Sequence, residues 1–574
     1  MQQHRLMNHI AALSGSVIGA LRPANAPWAV GSALWAMATA ALIGGTGVLV
    51  GDLQVAGVAF LGAACAVGFL ATGSYRARWR AVIAQASGGA LGIGAGTLVP
   101  VSTAGLVLTA ATAGTISGLI GGIGSSATAF GMMLSVGVAF GQFGGSSLPW
   151  WQQVLWYLAG AAVATVALLA SWAFRRGAQE RRAVAGVFDA AADLCAAIGA
   201  ADASAARARL AAASAIARAT RQHRQADLVA LAAAALYAQG KPVPDPAIEA
   251  IRLAARQIRA GKQASVVLSE RDDPWLLALA DALRPDPVRP GAPVPATSRL
   301  SSLIRTACSR DTVANGVRIG LCLAVATGIT VAMHERTHSF WLPLTTAVIV
   351  RPEYASVFVR TVNRIFGTLI GALLVTGYLA VWPSGLPVVV ATALALGFVV
   401  LSAPKLYGLS VIGITSAALL SQSIGQPDPN APAIRLVDTL IGAAVAVVFG
   451  YLLWPGARRL PGSARFSSAL AAARRYFAEA VKPAGQRRRW QATRDEAYRL
   501  AHRVRAGAEA AVLEPPPVSS LAAQAIPAAI ELEDAVDAIT AISVAIDGGD
   551  DPVALIDDVE HRLARLDQSA VAIR

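Results

Sequence analysis

Charged residues are scarce in this chain of 574 amino acids. Asp, Glu, Lys and Arg together make up 14% of it, whereas soluble domains contain about 25%. Residues 81–174 contain no charged side chain at all. Hydrophobic residues account for 55% of the chain, and the mean hydropathy is +0.54. This composition excludes an ordinary soluble protein and predicts an integral membrane protein.

Cysteine is also rare, and the motifs of common enzymes are missing. The four cysteines are Cys65, Cys195, Cys308 and Cys322. They lack CxxC or metal-ligand spacing, so we expect packing residues, with no disulfide and no metal site. His334 and His338 could hold a metal on one helix face, but their loop setting favours a surface role. No zinc-protease, nucleophile-elbow or phosphate-loop motif occurs, so we expect neither an enzyme nor a bound cofactor.

The formal net charge is +14, and a chain this basic has two interpretations. One is binding to nucleic acid. The other is the accumulation of Lys and Arg in cytoplasmic loops beside membrane spans. The second interpretation fits a chain so rich in apolar segments. We therefore expect membrane lipid as a partner and no nucleic acid.

Apolar runs that approach the length of a bilayer crossing, about 17–25 residues, recur in two groups of six. They lie at about 27–47, 53–73, 81–99, 104–122, 126–145, 152–174, 313–333, 339–350, 361–382, 386–403, 407–424 and 435–454. The run at 339–350 is short unless it extends to 356. A signal peptide is the alternative for the first run, but its length and the runs that follow favour a retained span.

The basic residues lie beside alternate runs, and this sets the predicted orientation. They follow the second, sixth, eighth, tenth and twelfth runs: Arg76, Arg78, Arg80, Arg175, Arg176, Arg351, Lys405, Arg458 and Arg459. By the positive-inside rule, both chain termini then lie in the cytoplasm. The loop from His334 to His338 carries one arginine on the opposite side and is the exception.

The chain repeats its own organisation. We predict an all-α membrane protein whose twelve transmembrane helices form two parallel six-helix repeats, each followed by a cytoplasmic helical domain. The predicted boundaries are 1–174 and 313–456 for the membrane halves, and 175–312 and 457–574 for the helical domains. Parallel repeats are related by an axis along the membrane normal, so a pathway between the halves is expected.

Four residues at the start of the ninth run and directly before it fall on one helical stripe: Arg360, Arg364, Gly367 and Gly371. A charge near the bilayer centre costs about 2.5–3.5 kcal/mol, so such side chains normally face the bundle interior or water. The arginines could bind a carboxylate with two hydrogen bonds each, or they could reach back to lipid headgroups. The glycines predict close packing against a neighbouring helix.

A second polar group opens the twelfth run. Arg435 and Asp438 are three residues apart and can share one helix face, which continues to Gly442. Asp438 could couple transport to protons, since carboxylates inside spans often act as relays. The alternative is a structural ion pair between Arg435 and Asp438. Gly442 predicts another helix contact.

Three residues around the eighth run complete the predicted pathway: Trp341, Arg351 and Tyr354. Trp341 and Tyr354 are read most simply as aromatic residues of the membrane interface, although an aromatic substrate could stack on them. Pro343 lies within the run and could break the helix or only bend it.

The region from Ala314 to Pro455 resembles the FUSC family of fusaric acid resistance protein-like membrane proteins. The resemblance rests on Trp341-Leu342-Pro343-Leu344-Thr345, Arg351-Pro352, Arg360-(x3)-Arg364-(x2)-Gly367-Thr368-(x2)-Gly371 and Arg435-(x2)-Asp438-Thr439-Leu440-Ile441-Gly442. The family lies in the aromatic acid exporter superfamily, which is related to the aluminium-activated malate transporters of plants. The resemblance implies a bacterial plasma (inner) membrane protein that exports organic, especially aromatic, carboxylic acids in toxic-acid resistance, driven by protons. A passive organic-anion channel and a non-transporting scaffold are the alternatives, and a homo-oligomer is left open.

Overall fold

The computed structural model describes residues 16–24, 26, 28–68, 75–99, 102–174, 177–218, 224–240, 242–262, 274–283, 309–333, 340–350, 357–424, 428–454, 463–483, 486, 490–516 and 518–572. Within these ranges every regular element is a helix. The all-α prediction is therefore confirmed for the described part of the chain.

Eleven helices make up the first half of the described chain. Six are apolar: α1 (Val30–Val50), α2 (Leu53–Gly68), α3 (Tyr75–Leu98), α4 (Thr103–Gly121), α5 (Ser125–Phe143) and α6 (Trp150–Phe174). Five are more polar: α7 (Ala178–Ala197), α8 (Ala203–Ala217), α9 (Arg224–Gln239), α10 (Asp245–Arg259) and α11 (Pro274–Leu283).

The second half of the chain has the same order. Its apolar helices are α12 (Arg310–Ala332), α13 (Trp341–Ile349), α14 (Val357–Leu379), α15 (Leu386–Ser402), α16 (Tyr407–Ser423) and α17 (Ala431–Val447), which continues as a π-helical turn, Val448–Leu452. The polar helices are α18 (Ser463–Ala480), α19 (Trp490–Ala511), α20 (Val518–Gly548) and α21 (Val553–Ala572).

Each of the twelve predicted apolar runs coincides with one of the helices α1–α6 and α12–α17. Seven described helices are long and apolar enough to cross a membrane: Val30–Val50, Trp79–Leu98, Thr103–Gly121, Ser125–Phe143, Thr312–Ala332, Val357–Leu379 and Ala431–Leu452. The chain is thus a multi-pass membrane protein, and the number of twelve crossings stays a prediction.

Local sequence explains where several of these helices begin. The Ser102 hydroxyl accepts a hydrogen bond from the Gly105 amide (3.2 Å) and caps α4. Ser309 caps α12 in the same way, through the Thr312 amide. Pro343 lies in the first turn of α13, where a missing amide hydrogen costs no helical hydrogen bond. The predicted break at this proline is therefore wrong, and the predicted bend stays a prediction.

The chain divides into two compact units. The membrane unit comprises residues 1–174, 294–458 and 513–516, and the polar unit comprises residues 175–293, 459–512 and 517–574. The two long polar segments of the chain thus belong to one unit. The four boundaries expected from the sequence stay a prediction.

A buried ion pair joins the two segments of the polar unit. Arg207 of α8 forms a two-pronged salt bridge with Asp537 of α20, and both side chains are almost wholly buried. Within the second segment, Arg505 of α19 bonds Glu533 of α20 at 3.0 Å, also in the interior. Removing one partner of such a pair leaves a buried charge uncompensated, which typically costs about 3–5 kcal/mol. The Arg207–Asp537 pair therefore helps to fix how the two segments fold together.

Helix pairing within the membrane unit follows the same scheme in both groups of six. The third helix packs on the fifth and the sixth, the second packs on the sixth, and the fourth packs on the fifth. The first helix of each group makes its largest contact with the fourth helix of the other group, so that α1 packs on α15 and α12 packs on α4. Each group therefore packs its first helix against the other group.

Glycines permit the closest of these contacts. On α3, a β-carbon at Gly92 would overlap the Leu134 carbonyl of α5 and lie 2.9 Å from the Gly137 Cα. Gly96 approaches Gly141 in the same manner, one turn further along. Because the backbones touch, any side chain at these positions forces the helices apart.

We predict that Gly92→Ala destabilises the membrane unit and that Gly94→Ala does not. The added methyl group at Gly92 meets backbone, and overpacking of this kind costs about 1–3 kcal/mol. At Gly94 the nearest atom to a β-carbon would be Val154 Cγ2, at an ordinary 3.8 Å. Thermal unfolding of the purified full chain in detergent measures both variants. Equal midpoints for Gly92→Ala and Gly94→Ala would contradict the packing.

Candidate functional site

Arg364 lies in the third turn of α14, inside the protein. Its side chain is only 1% exposed, and its Nε and Nη2 atoms have no acceptor among the described residues. A guanidinium in this position is surrounded by protein and does not extend toward lipid headgroups. Its buried N–H groups each carry a desolvation cost until an acceptor is provided.

Arg435 occupies a similar environment on α17. It is fully buried, its Nη1 atom donates to the Thr345 hydroxyl (3.2 Å), and its guanidinium stacks 4.0 Å from the centre of the Trp341 ring. Its Nε and Nη2 atoms again lack an acceptor among the described residues. Trp341 is itself buried, with 3% exposure. The interpretation of Trp341 as a membrane-interface aromatic is therefore wrong.

The two guanidiniums lie close enough to repel each other electrostatically, whereas Asp438 attracts Arg435. Other groups that can donate hydrogen bonds also lack partners among the described residues: Trp341 Nε1 and the hydroxyls of Thr368, Tyr407 and Thr415. Thr368 follows Arg364 by one helical turn, and Tyr407 interacts electrostatically with Arg435. The site is therefore rich in donors and has an excess of positive charge, which suits an anion.

Asp438 also borders an open pocket beside the start of α17. The pocket has a volume of about 420 Å³ and is lined by Asn430, Ala433, Ile434, Val437 and Asp438. Asp438 is 5% exposed, whereas Arg435, one turn before it, is fully buried. Asp438 thus lines the pocket and also attracts the buried arginine.

The three predicted packing glycines lie in helix contacts of the same site. A β-carbon at Gly367 would lie 2.7 Å from the Gly408 carbonyl, and one at Gly371 would lie 2.9 Å from the Ile412 carbonyl. Gly442 faces the Leu342 carbonyl at 3.1 Å. These contacts hold α14 against α16 and α17 against α13, which brings the helices that carry the arginines, Trp341 and Thr345 together.

Residues 321–449 match the protein family described as fusaric acid resistance protein-like. The resemblance predicted from the motifs is confirmed over this segment. It contains every residue of the site described so far, from Trp341 to Gly442.

Curated relatives match a similar length of chain. An uncharacterized protein of Synechocystis is 32% identical over 138 residues, 23% of this chain and 18% of the relative. An uncharacterized protein of Haemophilus influenzae is 33% identical over 155 residues, 25% of this chain and 20% of the relative. A protein of Neisseria gonorrhoeae is 31% identical over 145 residues, 25% of this chain and 34% of the relative. The match thus spans about a fifth to a third of these relatives, and no solved structure matches the chain.

Two further polar residues position the fusaric acid resistance protein-like segment, and the sequence patterns missed both. Asn363 bonds the Ala20 carbonyl and the Gly408 amide, each at 2.8 Å, and so ties α14 to α16. Arg318 of α12 is fully buried and donates to the Gly450 carbonyl at 3.1 Å. Gly450 lies in the π-helical turn, whose wider winding redirects backbone carbonyls. A lone arginine at the start of an apolar run was the only signal of this contact.

Arg360 lies one turn before Arg364 and interacts with a residue that is distant in sequence. Glu514 belongs to a short strap, Leu513–Pro516, that packs within the membrane unit. The Glu514 side chain is fully buried and lies in the electrostatic field of Arg360, beside the Phe358 amide. Leu513 and the Glu514 carbonyl also contact the helical turn at 16–20.

Arg351 and Tyr354 lie outside the described residues, as do His334 and His338. Their proposed roles stay predictions. Cys65, Cys195 and Cys322 are free thiols, of which Cys195 and Cys322 are buried.

We predict that the strap loosens from the membrane unit as the pH rises. Burial raises the pKa of Glu514 from 4.5 to about 7, and the attraction of Arg360 offsets this only in part. Because the folded-state pKa is above the unfolded value, the stability that the docked strap contributes is full below about 4.5 and falls as the pH passes about 7. Hydrogen exchange at the amides of Leu513 and Glu514, corrected for the intrinsic rates, should show less protection at pH 8 than at pH 6.

The control for this experiment is Glu514→Gln, which cannot ionise. It should keep similar protection at both pH values. A pH difference that persists in Glu514→Gln would show that another group is responsible.

Proposed function

We propose that this protein exports organic carboxylic acids across the plasma membrane, with Arg364 and Arg435 as the carboxylate-binding pair. The observation that carries the proposal is that both guanidiniums are buried, each with two nitrogens, Nε and Nη2, that find no acceptor among the described residues. A carboxylate that bridges them would accept from both planar forks. It would also relieve the repulsion between the two charges.

The surroundings favour an aromatic acid. Trp341 stacks against Arg435, and Phe340 stacks against Trp341 with ring centres 4.2 Å apart. An aromatic acid whose carboxylate reaches the arginines would bring its ring next to these side chains, where offset or edge-to-face contacts contribute about 0.5–1.5 kcal/mol. The description of the matching family, fusaric acid resistance protein-like, supports the same substrate class.

The proposed pathway runs between two parallel six-helix repeats. The matching helix pairs in the two groups, and the exchange of first helices between them, support this arrangement. Arg360 and Glu514 lie at the predicted cytoplasmic end of α14, so substrate would arrive there and pass to Arg364 one turn deeper. The chemistry is binding and translocation, and it calls for no bond to be made or broken.

Asp438 is the proposed site of proton coupling. Its carboxylate attracts Arg435 from the side of the pocket, so its protonation would leave the guanidinium without that counter-charge. The Asp438 carboxylate and the substrate carboxylate then compete for one arginine. Proton uptake by Asp438 therefore favours anion binding, and proton loss favours anion release.

The first test is Arg364→Gln, assayed by uptake of radiolabelled benzoate into inside-out membrane vesicles. The loss of a charge-assisted hydrogen-bonding partner costs about 1.5–3 kcal/mol, or about ten- to a hundredfold in transport. Arg80→Gln is the matched control, because Arg80 is exposed on α3 and its loss should change uptake less than twofold. Unchanged uptake by Arg364→Gln at normal expression would remove this arginine from the mechanism.

The second test separates proton-driven export from passive flow. With Asp438 as the coupling group, a protonophore abolishes accumulation of benzoate in wild-type vesicles. Asp438→Asn abolishes accumulation even when the proton gradient is intact, because the amide cannot take up the proton. Flux that follows the membrane voltage and ignores both changes would instead indicate an anion channel.

A further inference from the structure

Two buried glutamines of the first six-helix group, Gln85 and Gln153, occupy positions that correspond to those of Arg364 and Arg435 in the second group. The first correspondence comes from the packing of the third helix on the fifth. In α3, Gly88 and Gly92 face the Phe130 and Leu134 carbonyls of α5, and in α14, Gly367 and Gly371 face the Gly408 and Ile412 carbonyls of α16. Both the glycines and the carbonyls are four residues apart in each group. Gln85 precedes Gly88 by three residues, as Arg364 precedes Gly367.

The second correspondence comes from the packing of the sixth helix on the second. Gly160 of α6 faces the Ala59 carbonyl of α2, and Gly442 of α17 faces the Leu342 carbonyl of α13. Seven residues before these glycines lie Gln153 and Arg435. Two independent helix contacts thus give the same result. At each corresponding position, the first group has a glutamine amide and the second group has an arginine guanidinium.

Gln85 has the properties of a binding residue. It is fully buried, and neither its Nε2 nor its Oε1 atom has a hydrogen-bond partner among the described residues. An unsatisfied buried amide is costly, so its retention calls for an explanation. One turn further along α3, Gly89 touches the hydroxyl of Tyr157, which lies beside the Cys65 thiol. Gln153, by contrast, donates to the Leu148 carbonyl at 2.8 Å.

Aromatic side chains connect the two groups of helices between these sites. Phe140 packs in the apolar cluster around Tyr157 and also in the cluster around Trp341. Its ring centre lies 4.5 Å from that of Phe340. Phe340 stacks on Trp341, which carries Arg435 on its face. Apolar packing around Tyr157 and the ring contacts of Phe140, Phe340 and Trp341 therefore lead from the neighbourhood of Gly89, on the helix of Gln85, to Arg435.

We propose that Gln85 is the centre of a second, uncharged subsite of the pathway. It binds a neutral group that both donates and accepts hydrogen bonds, of which a primary carboxamide is the best match to its own amide. This proposal rests on the proposed function, because the arginine pair binds the carboxylate of the same class of substrate. A transported acid with a polar substituent is then recognised at two places, by charge at Arg364 and by amide pairing at Gln85.

The test compares two acids of nearly equal shape in inside-out vesicles, carbamoylbenzoate and isopropylbenzoate, as their 3- and 4-isomers. In the wild type, at least one carbamoyl isomer should be transported with a KM about tenfold lower than its isopropyl partner. A site built to hydrogen-bond a substrate group discriminates strongly against the analogue that lacks it. Equal KM values for all isomers in the wild type would overturn the proposal without any variant.

Gln85→Met keeps the length of the side chain and removes the amide. It should abolish the roughly tenfold preference for the carbamoyl acid and leave isopropylbenzoate transport within twofold of the wild type. Ser87→Ala is the control, since the Ser87 hydroxyl bonds only its own helix in the described structure. An equal loss of both substrates in Gln85→Met would mean that Gln85 only supports packing, and it would overturn the proposal.

Arg364→Gln distinguishes this proposal from the one on which it rests. If the proposed function is correct, Arg364→Gln lowers transport of both acids by a similar factor. If both acids are still transported normally by Arg364→Gln, the carboxylate site is wrong. A lost carbamoyl preference in Gln85→Met would still locate an uncharged site in the first group.

Discussion

The need to place guanidiniums inside a protein that crosses a membrane governs the architecture of the second six-helix group. A buried cation without an acceptor is costly, and the cost is higher where water is excluded. Arg318 meets this need in part through the Gly450 carbonyl, which lies in the π-helical turn. Arg364 and Arg435 each keep two nitrogens, Nε and Nη2, without an acceptor among the described residues. These two arginines are therefore the ones that we propose to bind a ligand.

Close helix packing keeps the arginines in the interior of the second six-helix group. Glycine contacts hold α14 on α16 and α17 on α13, and Asn363 adds hydrogen bonds between α14 and α16. Because the backbones are in contact, the arginines cannot turn outward without separating helices. The same type of contact recurs in the first group with glutamines in place of arginines. Similar helix contacts thus carry unequal chemistry, with charge in one group and neutral amides in the other.

Much of the fold could be predicted from the sequence because apolar runs and turn residues are local signals. The stripe of Arg360, Arg364, Gly367 and Gly371 was visible for the same reason. The sequence did not show which residues surround each of these side chains. Trp341 lies near the start of an apolar run, where both interface aromatics and buried aromatics occur, and only the packing of α13 against α17 distinguishes the two cases. Gln85 carries no charge and sits in an apolar run, and Glu514 is 154 residues from Arg360 in sequence. Neither residue could be linked to the site without coordinates.

The most direct test of the carboxylate site is a structure of the full chain in lipid nanodiscs with bound 4-iodobenzoate, whose iodine marks the orientation of the ligand. The account predicts carboxylate oxygens within about 3 Å of guanidinium nitrogens of both Arg364 and Arg435. A ligand bound elsewhere, or guanidiniums that instead hold lipid phosphates, would contradict it.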